Sequence, residues 1–231
     1  VAVIGSGSGG GVAANILNKK YEVGIFEKGS YGNGMTNNET FGYHNFYDTN
    51  GIQQTRGYKV LLLAGMGIGG GTSVNWTTSL RTPNQILNEW DNLTEQDNYF
   101  NSHEFKNSMD YVCKELNVDI KNNRIPQKEE KLAEGLELNN LSYKIIPRNT
   151  SNDECTESGF STFGRYDESI NSTNKIWFSE ERFEPNNVFS DTNISSLDLS
   201  NGRATHINVE NNGKLHKVAV DKVVLAAGSL N

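Results

Sequence analysis

Apolar residues fall into short continuous runs near the two ends of this chain, helix-spaced stripes in its middle and an alternating pattern late on, with asparagine-rich connections between them. Val1-Ala2-Val3-Ile4 is a continuous run of the kind that marks a parallel strand covered on both faces. A glycine-rich turn follows at once, then Val12, Ala13, Ile16 and Leu17 at helical spacing, and Glu22 to Phe26 supplies the next strand. Strand, turn, helix and strand within about 30 residues make a βαβ unit, whose right-handed crossover puts the turn at the carboxyl edge of the first strand.

Gly29 to Tyr58 carries Tyr31, Phe41, Tyr43, Phe46 and Tyr47 among glycines and asparagines and reads as a structured loop. Lys59 to Ala64 is strand-like and leads into a second glycine-rich segment, Gly65 to Asn75. Its flanks, Leu61 to Leu63 and Val74 to Trp76, read as buried, which argues against a flexible surface linker.

Three helices are expected next. The first opens with Thr82 as N-cap, Pro83 at the first helical position and Gln85 reaching back, with Ile86 and Trp90 four apart. The second begins near Asn101 and carries Phe105, Met109, Val112 and Leu116 on one stripe; Leu132 and Leu136 mark the third. Ser151 to Asn174, rich in serine, threonine and acidic residues, shows no period. After Val188 the period becomes two, and Asn201-Gly202 and Asn211-Asn212-Gly213 are hairpin signals, so a small antiparallel meander is expected. Lys222 to Ala227 closes the chain as a buried strand.

Composition narrows the function. Hydrophobic residues make up 35% of the 231 and the mean hydropathy is −0.59, low values that reflect abundant asparagine and not disorder, because well-spaced apolar clusters persist throughout. A net charge of −7 leaves no basic stripe for nucleic-acid phosphates. Cys113 and Cys155 form neither a disulfide framework nor a CxxC metal site; buried free thiols are the expectation, with a lone bridge between them as the alternative. No apolar run reaches membrane-helix length. The chain opens inside a strand and stops just after another, so both ends read as cut.

The chemistry sits in the glycine-rich segments. Gly5-Ser6-Gly7-Ser8-Gly9-Gly10 matches GxGxxG at Gly5, Gly7 and Gly10, which serve the bend, the close approach of a pyrophosphate and helix-on-strand packing, while the helix amino end faces the phosphate charge. Glu27 ends the second strand about 20 residues on, where a carboxylate accepts from the adenosine ribose hydroxyls and repels a 2′-phosphate. FAD or NAD is therefore expected and NADP is not. The second glycine-rich segment favours FAD, since a flavin cofactor needs a further stretch of close backbone along its length. Packing or surface roles are expected for His44, His103, His206 and His216.

With these motifs in hand the chain resembles the glucose-methanol-choline oxidoreductases, and among them the long-chain fatty alcohol oxidases. The resemblance rests on Val3-Ile4-Gly5-Ser6-Gly7-Ser8-Gly9-Gly10, on Gly69-Gly70-Gly71-Thr72-Ser73-Val74-Asn75-Trp76 with Arg81-Thr82-Pro83, on Ile146-Pro147-Arg148-Asn149, and on Val223-Val224-Leu225-Ala226-Ala227-Gly228-Ser229-Leu230. It implies an α/β fold: a Rossmann-like FAD-binding domain with a parallel sheet, a β-meander and a helical insertion, made of residues 1–80 with 187–231, and an insertion and loop region over 81–186. It also implies that Gly69, Gly70, Thr72 and Asn75 run beside the FAD, that Ala226 and Gly228 belong to the strand end returning to it, and that Val188 touches its adenine side.

The reaction implied is oxidation of an alcohol to an aldehyde, the hydroxyl proton going to a base and a hydride to flavin N5, with dioxygen or another acceptor reoxidising the cofactor and membrane association in the complete protein. The proton-abstracting histidine of the family lies in a carboxyl-terminal region that this chain lacks, so residues 1–231 alone are expected to be inactive. Two departures stand out: Met66 where the family carries a basic residue, and Ser158 and Ser161 where the alcohol oxidases carry cysteines. A NAD-dependent dehydrogenase and a noncatalytic nucleotide-binding module are the alternatives.

Overall fold

The computed structural model describes residues 1–31, 38–95, 97–121, 125–151, 163 and 169–230. The chain divides into two compact units, Val1–Trp76 with Thr156–Asn231, and Thr77–Cys155.

The first unit is built on a four-stranded parallel sheet of β1 (Ala2–Ile4), β2 (Gly24–Phe26), β5 (Val188–Phe189) and β9 (Val223–Leu225), in the spatial order β5-β2-β1-β9. Helix α1 (Ser8–Leu17) makes the crossover from β1 to β2. The first and last apolar runs lie in the same sheet and pair directly, with Val3 beside Val224 and Ile4 beside Leu225. Because successive strand residues point to opposite faces, Val3 and Ile25 enter one cluster with Ala14, Trp177, Phe178 and Phe183, whereas Ala2, Ile4 and Phe26 enter another with Ile207 and Val209. The sheet is thus covered by helices on one side and by the meander on the other. Phe26 also stacks on Phe189, centroids 5.0 Å apart, where β2 meets β5.

The meander consists of β6 (Thr192–Ser200), β7 (Arg203–Asn211) and β8 (Lys214–Ala219). Its hairpin turns fall at Asn201-Gly202 and Asn212-Gly213, with positive φ at all four residues, the conformation of type I′ turns.

Several expectations are corrected in this unit. Helix α1 fully buries Gly10, Gly11, Ala14 and Asn15; Val12 and Leu17 pack against the core partly buried, and Ile16 is exposed. Close packing is the reason: a Cβ on Gly11 would lie 1.9 Å from Thr173 Cγ2 of α6 (Thr173–Trp177). The aromatic loop contains a helix, α2 (Glu39–Phe46), capped by Asn38, which accepts from the Phe41 N–H at 3.0 Å. Lys59 to Ala64 shrinks to β4 (Leu61–Leu62), paired with β3 (Gln53–Gln54). The closing strand is only half-buried, and Leu225 is 71% exposed because β9 lies at the edge of the sheet. Helix α6, which lies within the stretch 81–186, packs on α1 in this unit.

The second unit holds α3 (Asn84–Thr94), α4 (His103–Glu115) and α5 (Gln127–Leu138). Pro83 itself is the N-cap of α3, one residue later than expected, and α4 is capped by Ser102, whose hydroxyl accepts from the Phe105 N–H at 3.1 Å. Trp90, Tyr99, Phe100 and Phe105 form an edge-to-face ring cluster. Cys113 is a free thiol, half-buried; Cys155, Ser158 and Ser161 lie outside the described residues.

Candidate functional site

All eleven residues expected at a cofactor lie in the sheet unit. Gly5, Gly7, Gly10, Glu27, Gly69, Gly70 and Ala226 come together around the carboxyl end of β1. Gly5, at φ +95°, ends the strand: a Cβ there would lie 2.4 Å from the Ala226 carbonyl oxygen. Gly10 lets α1 fold back, since its Cβ would lie 1.9 Å from the Gly5 carbonyl oxygen and 3.2 Å from Ala226 Cβ. At Gly7 the situation reverses. A Cβ there would meet nothing within 4 Å, so the protein leaves space beside the amino end of α1. That helix end has no side-chain cap and no acidic residue in its first turn, leaving its N–H groups and positive dipole available to an anion.

Glu27 follows β2 and is buried. Its Oε2 accepts from the Ser6 N–H at 3.0 Å and the Ser6 hydroxyl at 2.7 Å, and its Oε1 from the Gly29 N–H at 3.0 Å. A carboxylate offers about four lone-pair positions, so these bonds fill Oε2 and leave one position on Oε1.

The second glycine-rich segment lies directly on the first turn. Gly70 packs on Gly7, a Cβ on it coming 3.1 Å from Gly7 Cα, and the Gly69 N–H donates to Ser6 Oγ at 3.0 Å. Gly69, at φ +94°, starts a 3-10 turn over Gly70–Thr72. Thr72 Oγ donates to the Gly69 carbonyl at 2.6 Å and accepts from the Thr173 N–H at 2.9 Å. Asn75 Nδ2 donates to the carbonyls of Gly71 and Thr72 at 3.1 and 3.0 Å, holding the end of the segment in place. Burial of the segment is as expected, but not for the expected reason. Leu61, Leu63 and Trp76 are exposed, and only Val74 of the flanks named is fully buried; Gly67, Ile68, Gly69 and Gly70 are buried by the first turn instead.

Val188 pairs with Ile25 on the far side of β2, and Gly228 follows β9 with φ +86° and open space where a Cβ would stand. Sequence reasoning missed Ser6, completely buried between two motif glycines. It occupies an unrestricted position of the motif, so nothing in the pattern marks it. The histidines are spread over α2, the start of α4, β7 and β8. Among the described residues no group of three or more His, Cys, Asp or Glu could hold a metal ion, and no helix is long and apolar enough to cross a membrane.

A glycine turn at the end of a parallel strand, a helix amino end open to an anion and a carboxylate ending the next strand define a dinucleotide-binding α/β protein. The chain belongs to the GMC oxidoreductase family, whose model matches residues 8–231. It is 34% identical over 178 residues to the long-chain-alcohol oxidase FAO4B of Arabidopsis thaliana, covering 76% of this chain and 23% of that one. It is 36% identical over 152 residues to FAO1 of the same plant, covering 64% and 20%. The chain therefore spans about a quarter of the length of the first of these relatives. Among solved structures, an FAD-dependent oxidoreductase from Chaetomium thermophilum superposes with a TM-score of 0.68 at 13% identity, over 98% of this chain and 45% of the other. Pyridoxine 4-oxidase from Mesorbium loti gives 0.64 at 14%, over 99% and 49%. These likenesses establish the Rossmann-like fold of FAD-dependent oxidoreductases.

Proposed function

We propose that this chain is the FAD-binding portion of an oxidoreductase that converts a long-chain alcohol to its aldehyde. The observation that carries the reading is the contrast among the motif glycines: Gly5 and Gly10 are required by contacts inside the protein, whereas Gly7 borders open space at the amino end of α1. A pyrophosphate fits that space and that polarity. The remaining lone-pair position on Glu27 Oε1 accepts from a ribose hydroxyl. Gly69, Gly70, Thr72 and Asn75 line the path beyond, Ala226 and Gly228 bound the returning strand end, and Val188 lies toward the adenine. When bound, FAD supplies the acceptor for the hydride that leaves the carbinol carbon. The long-chain substrate, and dioxygen as final acceptor, are supported by the names of the alcohol oxidase relatives.

The proton-accepting base lies outside residues 1–231. His44, His103 and His216 are exposed, and His206 sits on the meander with Nδ1 3.2 Å from Thr205 Oγ, so none of the four belongs to the glycine-lined site described above. The test uses the full-length protein: a flavin absorption spectrum that bleaches anaerobically on addition of a long-chain alcohol is expected. A colourless protein that reduces NAD would establish the dehydrogenase reading instead. Residues 1–231 with excess FAD should show no turnover, since loss of a general base alone costs about 10²- to 10⁴-fold.

A further inference from the structure

Ser6 makes contacts that the cofactor motif does not require of it. The position is completely buried. Its hydroxyl donates to Glu27 Oε2 at 2.7 Å and accepts from the Gly69 N–H at 3.0 Å, with the Gly67 carbonyl at 3.3 Å. The Ser6 N–H donates to the same carboxylate oxygen at 3.0 Å. One hydroxyl therefore joins three separate pieces of chain: the carboxylate that ends β2, the first glycine turn and the start of the second glycine-rich segment. The joint is reinforced nearby. Glu27 Oε1 holds the Gly29 N–H, and Gly29 abuts Gly67 so closely that a Cβ on it would lie 2.2 Å from the Gly67 nitrogen.

We propose that Ser6 is a positioning residue whose hydroxyl couples the adenosine side of the cofactor site to the Gly69–Thr72 turn, an inference that rests on the FAD reading above. Removing the hydroxyl acts oppositely on the two sides. Gly69 loses the acceptor of its N–H, so the second segment loses its tie to the first. Glu27 Oε2, by contrast, keeps the Ser6 N–H and gains a lone-pair position that a ribose hydroxyl can fill. Binding of the flavin half should suffer while binding of the adenosine half is largely retained.

The experiment uses the full-length protein freed of flavin and compares FAD with ADP, which carries the adenosine and pyrophosphate without the flavin. For Ser6→Ala the FAD Kd should rise about tenfold, the effect of one lost buried hydrogen bond. The ADP Kd should change by less than about threefold, and the visible circular dichroism of bound flavin should change shape. A purely structural role would weaken both ligands equally. Ser6→Cys keeps a weaker donor and acceptor and should show the same split at reduced size; if Ser6→Ala does not fold, this variant carries the comparison. Equal losses for FAD and ADP, or no loss for either, overturn the coupling. A wild-type protein that binds ADP but no flavin would instead overturn the FAD reading, and the coupling with it.

Discussion

The sheet unit and the helical unit both carry regularly placed apolar residues and bury them to different extents. In the first, Val3, Val23, Ile25 and Trp177 are sealed between the sheet and its covering helices. In the second, α4 and α5 bury no residue fully and α3 buries only Leu87 and Asp91. Leu132, Leu138, Leu141, Tyr143 and Ile145 are all exposed, and a cleft of about 640 Å³ runs between α5 and the 143–148 stretch. The contrast teaches that periodicity identifies a helix and its apolar face but does not say what, within a given stretch of chain, covers that face. A continuous apolar run in a parallel strand is more informative, because it requires cover on both sides.

Substitutions can break or sharpen this contrast. The largest effect is expected for Trp177→Ala in the sheet unit, about 3–5 kcal/mol in chemical denaturation from the cavity left behind; a loss under 1 kcal/mol would mean that this core is no tighter than the helical unit. A second probe of the same unit is alkaline pH. Burial, with Tyr43 adding to it, pushes the Tyr47 phenol up to about 12. A folded-state value above the ordinary 10 stabilises the neutral form, so the contribution is complete below pH 10 and disappears as the pH rises through 12, by about 2–3 kcal/mol in all. Tyr47→Phe should abolish that part of the pH dependence, and denaturation midpoints of the two proteins across this range will show it.

Next in size, Glu27→Ala should weaken FAD retention by about 1.5–3 kcal/mol, the worth of a hydrogen bond to a charged group, with little change in the flavin spectrum; unchanged affinity would leave Glu27 with its internal bonds alone. In the helical unit, Ser102→Ala removes the α4 cap and should cost about 1 kcal/mol. Smallest of all, Leu132→Ala on an exposed face should stay within about 0.5 kcal/mol by thermal or urea denaturation. A clearly larger loss would show that α5 is covered in the protein measured.

Much of the sheet unit was legible in advance. The βαβ unit and the meander with its Asn-Gly turns each follow from a local rule with a strong physical basis. Legibility failed where small residues and backbone decide the packing. Hydrophobic spacing points to Val12, Ala13, Ile16 and Leu17 on α1, yet Val12 and Leu17 pack only partly buried and the residues fully buried are Gly10, Gly11, Ala14 and Asn15, because α6 approaches Gly11 too closely for a larger side chain. Helix α2 was hidden by glycine and asparagine among its aromatics, and is announced only by Asn38 as its cap. Within the candidate site, Gly7 and Glu27 were visible through their spacing, but Ser6 was not, since its role depends on Gly69, which is 63 residues away.

The pairing of β1 with β9 has a consequence for how the chain is made. Ala2 lies beside Val223, so β1 waits for a partner made more than 200 residues later. At ordinary ribosomal speeds of roughly 5–20 residues per second, that separation amounts to roughly 10–45 s during which one edge of β1 has no partner. Contacts so distant along the chain are also slow to form. The nascent protein therefore carries an open, aliphatic strand edge while that stretch is made, and a chaperone that binds extended apolar segments should engage Val1 to Ile4 until Val223 to Leu225 has emerged.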